Sequence, residues 1–161
     1  MKLSKRLQAI ADLIPPDAAV ADIGTDHGHL PVYLALKGFS RKIIASDISD
    51  GSLAAARRSA EEADVTESII FVTAPGLDAV EPSDANTVII AGLGAETIVN
   101  ILKDAPWTKQ QRVTLILQPQ SKIDILFRFL YDNLYNIKKT ISVLDRGKHY
   151  TAILAVGGEE S

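Results

Sequence analysis

Short, unbroken apolar runs recur along this chain, separated by segments whose apolar residues repeat with helical spacing. We interpret the runs at 18–23, 42–46, 68–73, 87–91 and 113–117 as strands. Continuous apolar runs, rather than alternating ones, are typical of parallel strands buried on both faces. Glycine or proline ends several of the helical segments, as Gly38 does after residues 30–37. The pattern predicts β-α units that build a doubly wound, mostly parallel sheet.

The alternation of strand and helix patterns ends near the C-terminus of the chain. Two strand-like runs, 135–144 and 149–156, flank Asp145-Arg146-Gly147-Lys148, which is a plausible hairpin turn. We therefore expect an α/β fold closed by a C-terminal antiparallel β-hairpin. A chain of 161 residues is long enough for one such domain and short for two. The prediction is a single domain over residues 1–157 and a frayed tail at 158–161.

Composition excludes several classes of protein. Cysteine is absent, which excludes disulfides and thiolate sites, and three scattered histidines have no ligand spacing, so we expect no metal. No apolar run approaches the roughly 20 residues of a membrane span, and the charged N-terminal segment is unlike a secretory signal. A net charge of −3 is unlike that of a general nucleic-acid binder, although Lys2, Lys5 and Arg6 cluster. A cytoplasmic protein without membrane contact is expected.

A glycine loop follows the first predicted strand, in AVADIGTDHGHLP. Here Gly24 permits a tight turn after Asp22, and Gly28 is expected to let the backbone approach a ligand closely. Asp47 follows the next strand, about 20 residues further on, where a carboxylate can accept hydrogen bonds from a ribose. Together they predict a nucleoside-cofactor site, because ligands of open α/β sheets bind beyond the carboxyl ends of the strands. An ordinary strand-to-helix turn and a helix-capping aspartate are the alternatives.

The charge of the loop favours one cofactor. Asp26 stands where a dinucleotide fingerprint, G-x-G-x-x-G, requires its second glycine. A carboxylate there would repel a pyrophosphate, whereas a sulfonium cofactor with a cationic amino group tolerates both Asp22 and Asp26. The sequence therefore favours S-adenosyl-L-methionine over NAD. Gly92 leaves the backbone open beside Leu93 after the fourth strand, and Gln118 ends the fifth strand at the same edge.

Six motifs extend this interpretation to nearly the whole chain. LSKRL, ADIGTDHGHLP, ASD, IAGLG, LILQP and GKHYTAILA occur in order through residues 3–155. In these motifs the chain resembles the bacterial tRNA (adenine(22)-N(1))-methyltransferases. The resemblance implies a Rossmann-like class I methyltransferase fold that uses S-adenosyl-L-methionine. It also implies tRNA as the partner and N1 of adenine 22 as the methyl acceptor.

The resemblance assigns roles to residues. The expected cofactor-binding residues are Asp22, Gly24, Thr25, Gly28, Asp47, Ile48, Gly76, Gly92 and Leu93. The expected substrate-binding residues are Lys5, Arg6, His27 and Gln118. Asp26 is the candidate catalytic residue, because a carboxylate near the exocyclic amine can steady the positive charge that develops on the base. Local packing at the start of a helix is the alternative for His27 and His29.

Two departures from the family pattern keep other functions open. Family members carry a G-D-G-L-like segment after the third strand, where this chain has Ala74-Pro75-Gly76-Leu77, so adenine contacts must come from elsewhere. The family's C-terminal helical domain is expected to be absent. A cofactor-binding relative with a changed or lost nucleic-acid substrate is therefore one alternative. A small NAD-binding oxidoreductase and a non-catalytic interaction module are two others.

Overall fold

Seven strands and five helices alternate along residues 1–161, all of which the computed structural model describes. The strands are β1 (Ala19–Ile23), β2 (Lys42–Asp47), β3 (Ile70–Thr73), β4 (Thr87–Leu93), β5 (Thr114–Pro119), β6 (Tyr135–Asp145) and β7 (Lys148–Gly157). The helices are α1 (Lys5–Asp12), α2 (His29–Lys37), α3 (Asp50–Glu62), α4 (Ala95–Lys103) and α5 (Ile123–Asp132), with 3₁₀ turns at Thr66–Ser68 and Pro106–Lys109. None of the helices has both the length and the apolar character that crossing a bilayer requires.

The strands form one sheet in the order β3-β2-β1-β4-β5-β7-β6. Strands β1 to β5 are parallel, whereas β7 runs antiparallel to β5 and β6 antiparallel to β7. Strand order reverses between β1 and β4, which is where such sheets bind ligands. Arg146 and Gly147 both have positive φ, at 51° and 78°, as a two-residue hairpin loop demands. The predicted doubly wound sheet with a closing hairpin is confirmed.

Strand ends differ from the prediction where pairing extends them. β2 continues to Asp47 and β4 to Leu93, because these residues pair with Thr73 and Pro119. The third strand was expected at 68–73 with both faces buried. It begins at Ile70 and is half-exposed, because β3 lies at the edge of the sheet. Local sequence does not distinguish an edge strand from a central one.

The core lies on both faces of the sheet. On one face, Ile90 and Leu117 pack with residues of α4 and α5. On the other, Val20, Ile89 and Ile116 pack with residues of α1 and α2. Every residue of β1 is buried, so the central strands can present polar groups only near their ends.

The end of the chain is tied to the body of the domain, where we expected fraying at 158–161. The Gly158 amide donates to the Leu134 carbonyl oxygen at 2.6 Å, and the Glu159 amide donates to that of Lys109 at 2.8 Å. The Gln111 amide in turn donates to the Glu159 carbonyl oxygen at 2.7 Å. These contacts use backbone groups, which carry no sequence signal.

Gly28 lies at a close contact between two helices. It precedes α2 with φ +73°, and a Cβ built there would lie 2.8 Å from the Cβ of Ala56 in α3. Glycine thus lets α2 begin directly against α3. The cofactor contact that we expect of Gly28 stays a prediction.

Gly28→Ala is expected to destabilise the fold more than Gly38→Ala. Both glycines have left-handed φ, but Gly38 has no atom within 4 Å of the added Cβ. The Gly38 variant should lose about 1–2 kcal/mol from the backbone alone. The Gly28 variant should lose roughly 1–3 kcal/mol more from overpacking against Ala56. Urea unfolding of both variants measures the difference, and equal losses would contradict the packing role.

Candidate active site

A cavity of about 680 Å³ lies beyond the carboxyl ends of β1, β2, β3 and β4. It therefore opens at the reversal of strand order. Eleven of the predicted site residues line it: Arg6, Asp22, Gly24, Thr25, Asp26, His27, Asp47, Ile48, Gly76, Gly92 and Leu93. The structure brings together residues from five separate parts of the sequence, as a shared pocket requires.

Three predicted residues do not line the cavity. Gly28 lies against α3, and Lys5 is exposed on α1 outside the cavity. Gln118 is fully buried, and its expected contact with a substrate stays a prediction. Its Nε2 donates to the Pro119 carbonyl oxygen, and its Oε1 accepts from Nη1 of Arg6, each at 2.8 Å. Gln118 thus holds the Arg6 guanidinium through one hydrogen bond.

Asp47 connects the glycine loop to the end of β2. Its Oδ2 accepts a hydrogen bond from the Asp26 amide at 3.0 Å, and its Oδ1 accepts one from the Ser49 amide at 2.9 Å. The capping role that we considered for Asp47 belongs to Ser49, whose hydroxyl accepts from the Ser52 amide. Each carboxylate oxygen has a second lone pair, so Asp47 can hold the loop and still accept from a ligand.

Asp22 is a buried carboxyl group at the end of β1. Only 6% of the residue is exposed, and its Oδ2 accepts a hydrogen bond from the Thr25 hydroxyl at 2.9 Å. Burial raises the pKa of Asp22 to about 6, the Thr25 hydrogen bond and Arg6 oppose this rise, and the Asp47 charge adds to it. The ionised carboxylate of Asp22 would stabilise a cationic group bound beside it.

Asp26 and His27 lie at the mouth of the cavity. Their side chains are 70% and 63% exposed, and His27 Nε2 is 3.9 Å from Asp26 Oδ1. Asp26 has φ +56°, a conformation that aspartate tolerates better than most residues. The His27 ring stacks on His29 with centroids 5.8 Å apart, as the local-packing alternative expects. The Asp26 carboxylate remains open to a substrate.

Sequence reasoning missed the far wall of the cavity, which contains Asp78, Thr97, Asn100, Ile101, Asp104 and Gln120. One face of α4 carries Thr97 and Asn100, and Asp104 follows at the same helical spacing as the C-cap. This periodicity is the signal from which the sequence could have predicted the far wall. Gly76 fits tightly against this helix, since its added Cβ would lie 3.1 Å from Cγ1 of Ile101.

The cavity is rich in carboxylates. Its acidic residues are Asp22, Asp26, Asp47, Asp78 and Asp104, and Arg6 is the only lysine or arginine among the lining residues. Such a lining favours a cationic ligand and disfavours a pyrophosphate. The donor set therefore fits a sulfonium nucleoside better than a dinucleotide.

Known proteins resemble this chain in both sequence and fold. A family model for a methyltransferase domain matches residues 3–153. The tRNA (adenine(22)-N(1))-methyltransferase of Bacillus subtilis strain 168 is 33% identical over 159 residues, which cover 99% of this chain and 67% of that protein. A "Putative tRNA methyltransferase" of Mycoplasma pneumoniae is also 33% identical, over 96% of this chain and 71% of its own length.

Two solved structures have closely similar folds. The B. subtilis M1A22 tRNA methyltransferase TrmK has a TM-score of 0.91 at 34% identity, covering 98% of this chain and 68% of that chain. Streptococcus pneumoniae Sp1610, in complex with S-adenosyl-L-methionine, has a TM-score of 0.92 at 30% identity, covering 99% of this chain and 75% of that chain.

Asp22→Asn is expected to change how stability depends on pH. Because the folded state holds the Asp22 proton to about pH 6, whereas the ordinary pKa is 3.8, ionisation favours unfolding as pH rises between these values. The contribution of Asp22 is fully present below pH 3.8 and is lost as pH rises through 6. Relative to wild type, the variant should gain up to about 3 kcal/mol between pH 4 and 7.

Urea unfolding across this pH range measures the difference, and Asp84→Asn provides a control of opposite sign. Hydrogen bonds from the Glu81 amide and then Lys42 hold the pKa of Asp84 below its ordinary value. Asp84→Asn should therefore lose stability relative to wild type as pH rises from acid to neutral. A pH-independent difference for Asp22→Asn would contradict its assignment as a carboxyl group that is costly to ionise.

Proposed function

This chain belongs to the methyltransferase family that includes the tRNA (adenine(22)-N(1))-methyltransferases, and from that premise we propose its reaction. It transfers a methyl group from S-adenosyl-L-methionine to N1 of an adenine in tRNA, which we take to be adenine 22. One observation carries the proposal: an acid-rich cavity at the reversal of strand order, with Asp47 and the glycine loop at its edge. Neither the oxidoreductase nor the interaction-module alternative has such support.

The residues of the cavity suit the cofactor. When bound, S-adenosyl-L-methionine supplies a methyl group that is electrophilic because it is carried by a sulfonium. Asp47 accepts hydrogen bonds from ribose hydroxyls through the lone pairs that the two backbone amides leave free. Ile48 and Leu93 offer apolar surface to the nucleoside, and Gly92 keeps the backbone beside Leu93 open. The carboxylates of the lining favour the positive charge of the cofactor.

Orientation does most of the catalytic work in this proposal. Adenine N1 attacks with a lone pair, so holding the base in line with the methyl group supplies most of the acceleration. The target base must leave its stack to enter the cavity. At the mouth, the exposed Asp26 carboxylate steadies the positive charge that develops on the base and accepts a proton from the exocyclic amine.

We place the basic surface for tRNA beside the cavity. Pairing of β7 with β5 ends at Ile153 opposite Leu117, so the β6–β7 hairpin continues beyond the edge of the sheet that bears the cavity. Its tip carries the exposed Arg146 and Lys148, and α1, which carries Lys5, packs against the same hairpin. We assign these three side chains to phosphate contacts. A cytoplasmic location accompanies a tRNA substrate.

The direct test is methylation of unmodified tRNA by the purified protein. With S-adenosyl-L-methionine present, mass spectrometry should detect one 1-methyladenosine, and reverse transcription should stop at nucleotide 22. A transcript with guanine at that position should gain no methyl group. Methylation at another nucleotide, or none by a protein that binds the cofactor, would refute the substrate.

Asp47→Ala should lower activity and weaken S-adenosylhomocysteine binding roughly tenfold or more, because it removes charge-assisted hydrogen bonds to the ribose.

Asp26→Asn is expected to lower kcat more than cofactor affinity. Its backbone amide still donates to Asp47, so the loop keeps its hydrogen bond, while the carboxylate charge is lost. General-base and electrostatic roles predict a decrease of roughly tenfold to a thousandfold in turnover. Single-turnover methylation and titration with S-adenosylhomocysteine separate the two effects. Unchanged turnover would remove Asp26 from the mechanism.

A further inference from the structure

Gln120 carries a free carboxamide at the wall of the cavity. The residue follows β5 directly, is exposed, and lines the cavity. The carboxamides of Gln8, Gln110 and Gln118 form hydrogen bonds within the chain, whereas that of Gln120 has no partner in the protein. Its oxygen can accept and its nitrogen can donate, so a donor and an acceptor lie side by side and are available to a ligand.

The backbone around Gln120 is held in place by the neighbouring loop. The Gln120 amide donates to the Leu93 carbonyl oxygen at 2.7 Å, and the Ser121 carbonyl oxygen accepts from the Ala95 amide at 3.1 Å. A Cβ added to Gly94 would lie 3.2 Å from the Ser121 hydroxyl oxygen, so the two loops are in close contact. These hydrogen bonds join the residues after β5 to the start of α4, and they give the Gln120 carboxamide a defined point of attachment.

Gln120 and Asp47 stand at opposite ends of the cavity. Asp47 ends β2 and Gln120 follows β5, and the sheet order puts β1 and β4 between these strands. Neighbouring strands are about 4.8 Å apart, so the two positions are separated by roughly 14 Å. A ribose bound to Asp47 therefore lies far from Gln120.

The geometry of methyl transfer connects the Gln120 end of the cavity with the acceptor. In-line attack places the acceptor on the side of the methyl group opposite the sulfur. The sulfur is bonded to C5′ of the ribose, so the acceptor lies away from the ribose and from Asp47. The end of the cavity beside Gln120 is thus free for the base that receives the methyl group.

The proposed reaction leaves one polar edge of the adenine for recognition. N1 must face the methyl group with its lone pair, so N1 cannot be bound by the protein. The remaining edge carries the N6 amine, which is a donor, and N7, which is an acceptor. Glutamine matches this pair with two hydrogen bonds, whereas guanine presents two acceptors, O6 and N7, on the same edge.

We propose that Gln120 recognises the target adenine through its N6 amine and N7, and so determines base specificity. Gln120 Oε1 accepts a hydrogen bond from N6, and Gln120 Nε2 donates one to N7. The N6 amine has two hydrogens, so the one on the N1 side stays available to the Asp26 carboxylate. This inference rests on the proposed function and names the residue that selects the base.

The first test compares Gln120→Leu with Gln111→Leu. Gln111 is exposed before the start of β5 and lies outside the cavity, so it provides a matched control. Gln120→Leu should lower kcat/KM for unmodified tRNA roughly ten- to hundredfold, as expected for loss of a bidentate base contact. Affinity for S-adenosylhomocysteine should stay within about twofold, which also shows that the variant is folded. Gln111→Leu should change neither quantity.

The second test removes the N7 acceptor from the substrate. A tRNA with 7-deazaadenine at the target position keeps N1 and N6 but has a C–H group in place of N7. The wild type should prefer adenine over 7-deazaadenine roughly tenfold more strongly than Gln120→Leu does. Because the measurement compares two preferences, any difference in N1 reactivity between the two bases cancels.

The outcomes separate this inference from the proposed function. The same preference for adenine in the wild type and in Gln120→Leu would overturn the base contact, while methylation by the wild type stands. Weaker binding of S-adenosylhomocysteine by Gln120→Leu would assign Gln120 to the cofactor and would also overturn it. Absence of methylation by the wild type would overturn the proposed function itself.

Discussion

Burial of the central strands on both faces is the constraint from which the site follows. Strands β1, β4 and β5 are sandwiched between two apolar clusters, so polar side chains have no place along most of their length. They can occur near the carboxyl ends, where the covering helices leave a gap. Asp22, Asp47 and Gln118 stand at such ends, and all three are nevertheless almost completely buried. Each of them must therefore find a partner.

The partners that these residues find define the geometry of the cavity. Asp47 draws the glycine loop towards β2 through the Asp26 amide, which leaves the Asp26 side chain at the mouth. Gln118 holds Arg6 inside the cavity from the opposite side. The buried Asp47 and Gln118 thus position residues from two distant segments, because each binds a polar group of one of them. The same contacts that stabilise the fold arrange the groups that we assign to ligand binding.

Most of the charged side chains that line the cavity have no ion-pair partner. Arg6 and Asp22 have opposite signs and line one cavity, and neither has a partner of opposite charge within ion-pair distance. Keeping such groups desolvated costs stability, and the raised pKa of Asp22 reflects that cost. Unpaired charges of this kind are typical of functional sites, because a ligand can supply the missing partner. The stability of the surrounding apolar core offsets this cost.

The sheet, the closing hairpin and the near wall of the cavity can all be predicted from the sequence. These depend on local signals: apolar runs, turn residues, and polar residues such as Asp22, Gly24 and Asp47 placed where a strand ends. Three features depend on the folded chain: Gly28 meets Ala56, Gln118 binds Arg6, and α4 supplies the far wall. The two sets of features differ in the sequence separation of the residues on which they depend. A strand's end follows from its neighbours in sequence, whereas the partner of a buried amide or the space beside a glycine depends on segments brought together only by folding.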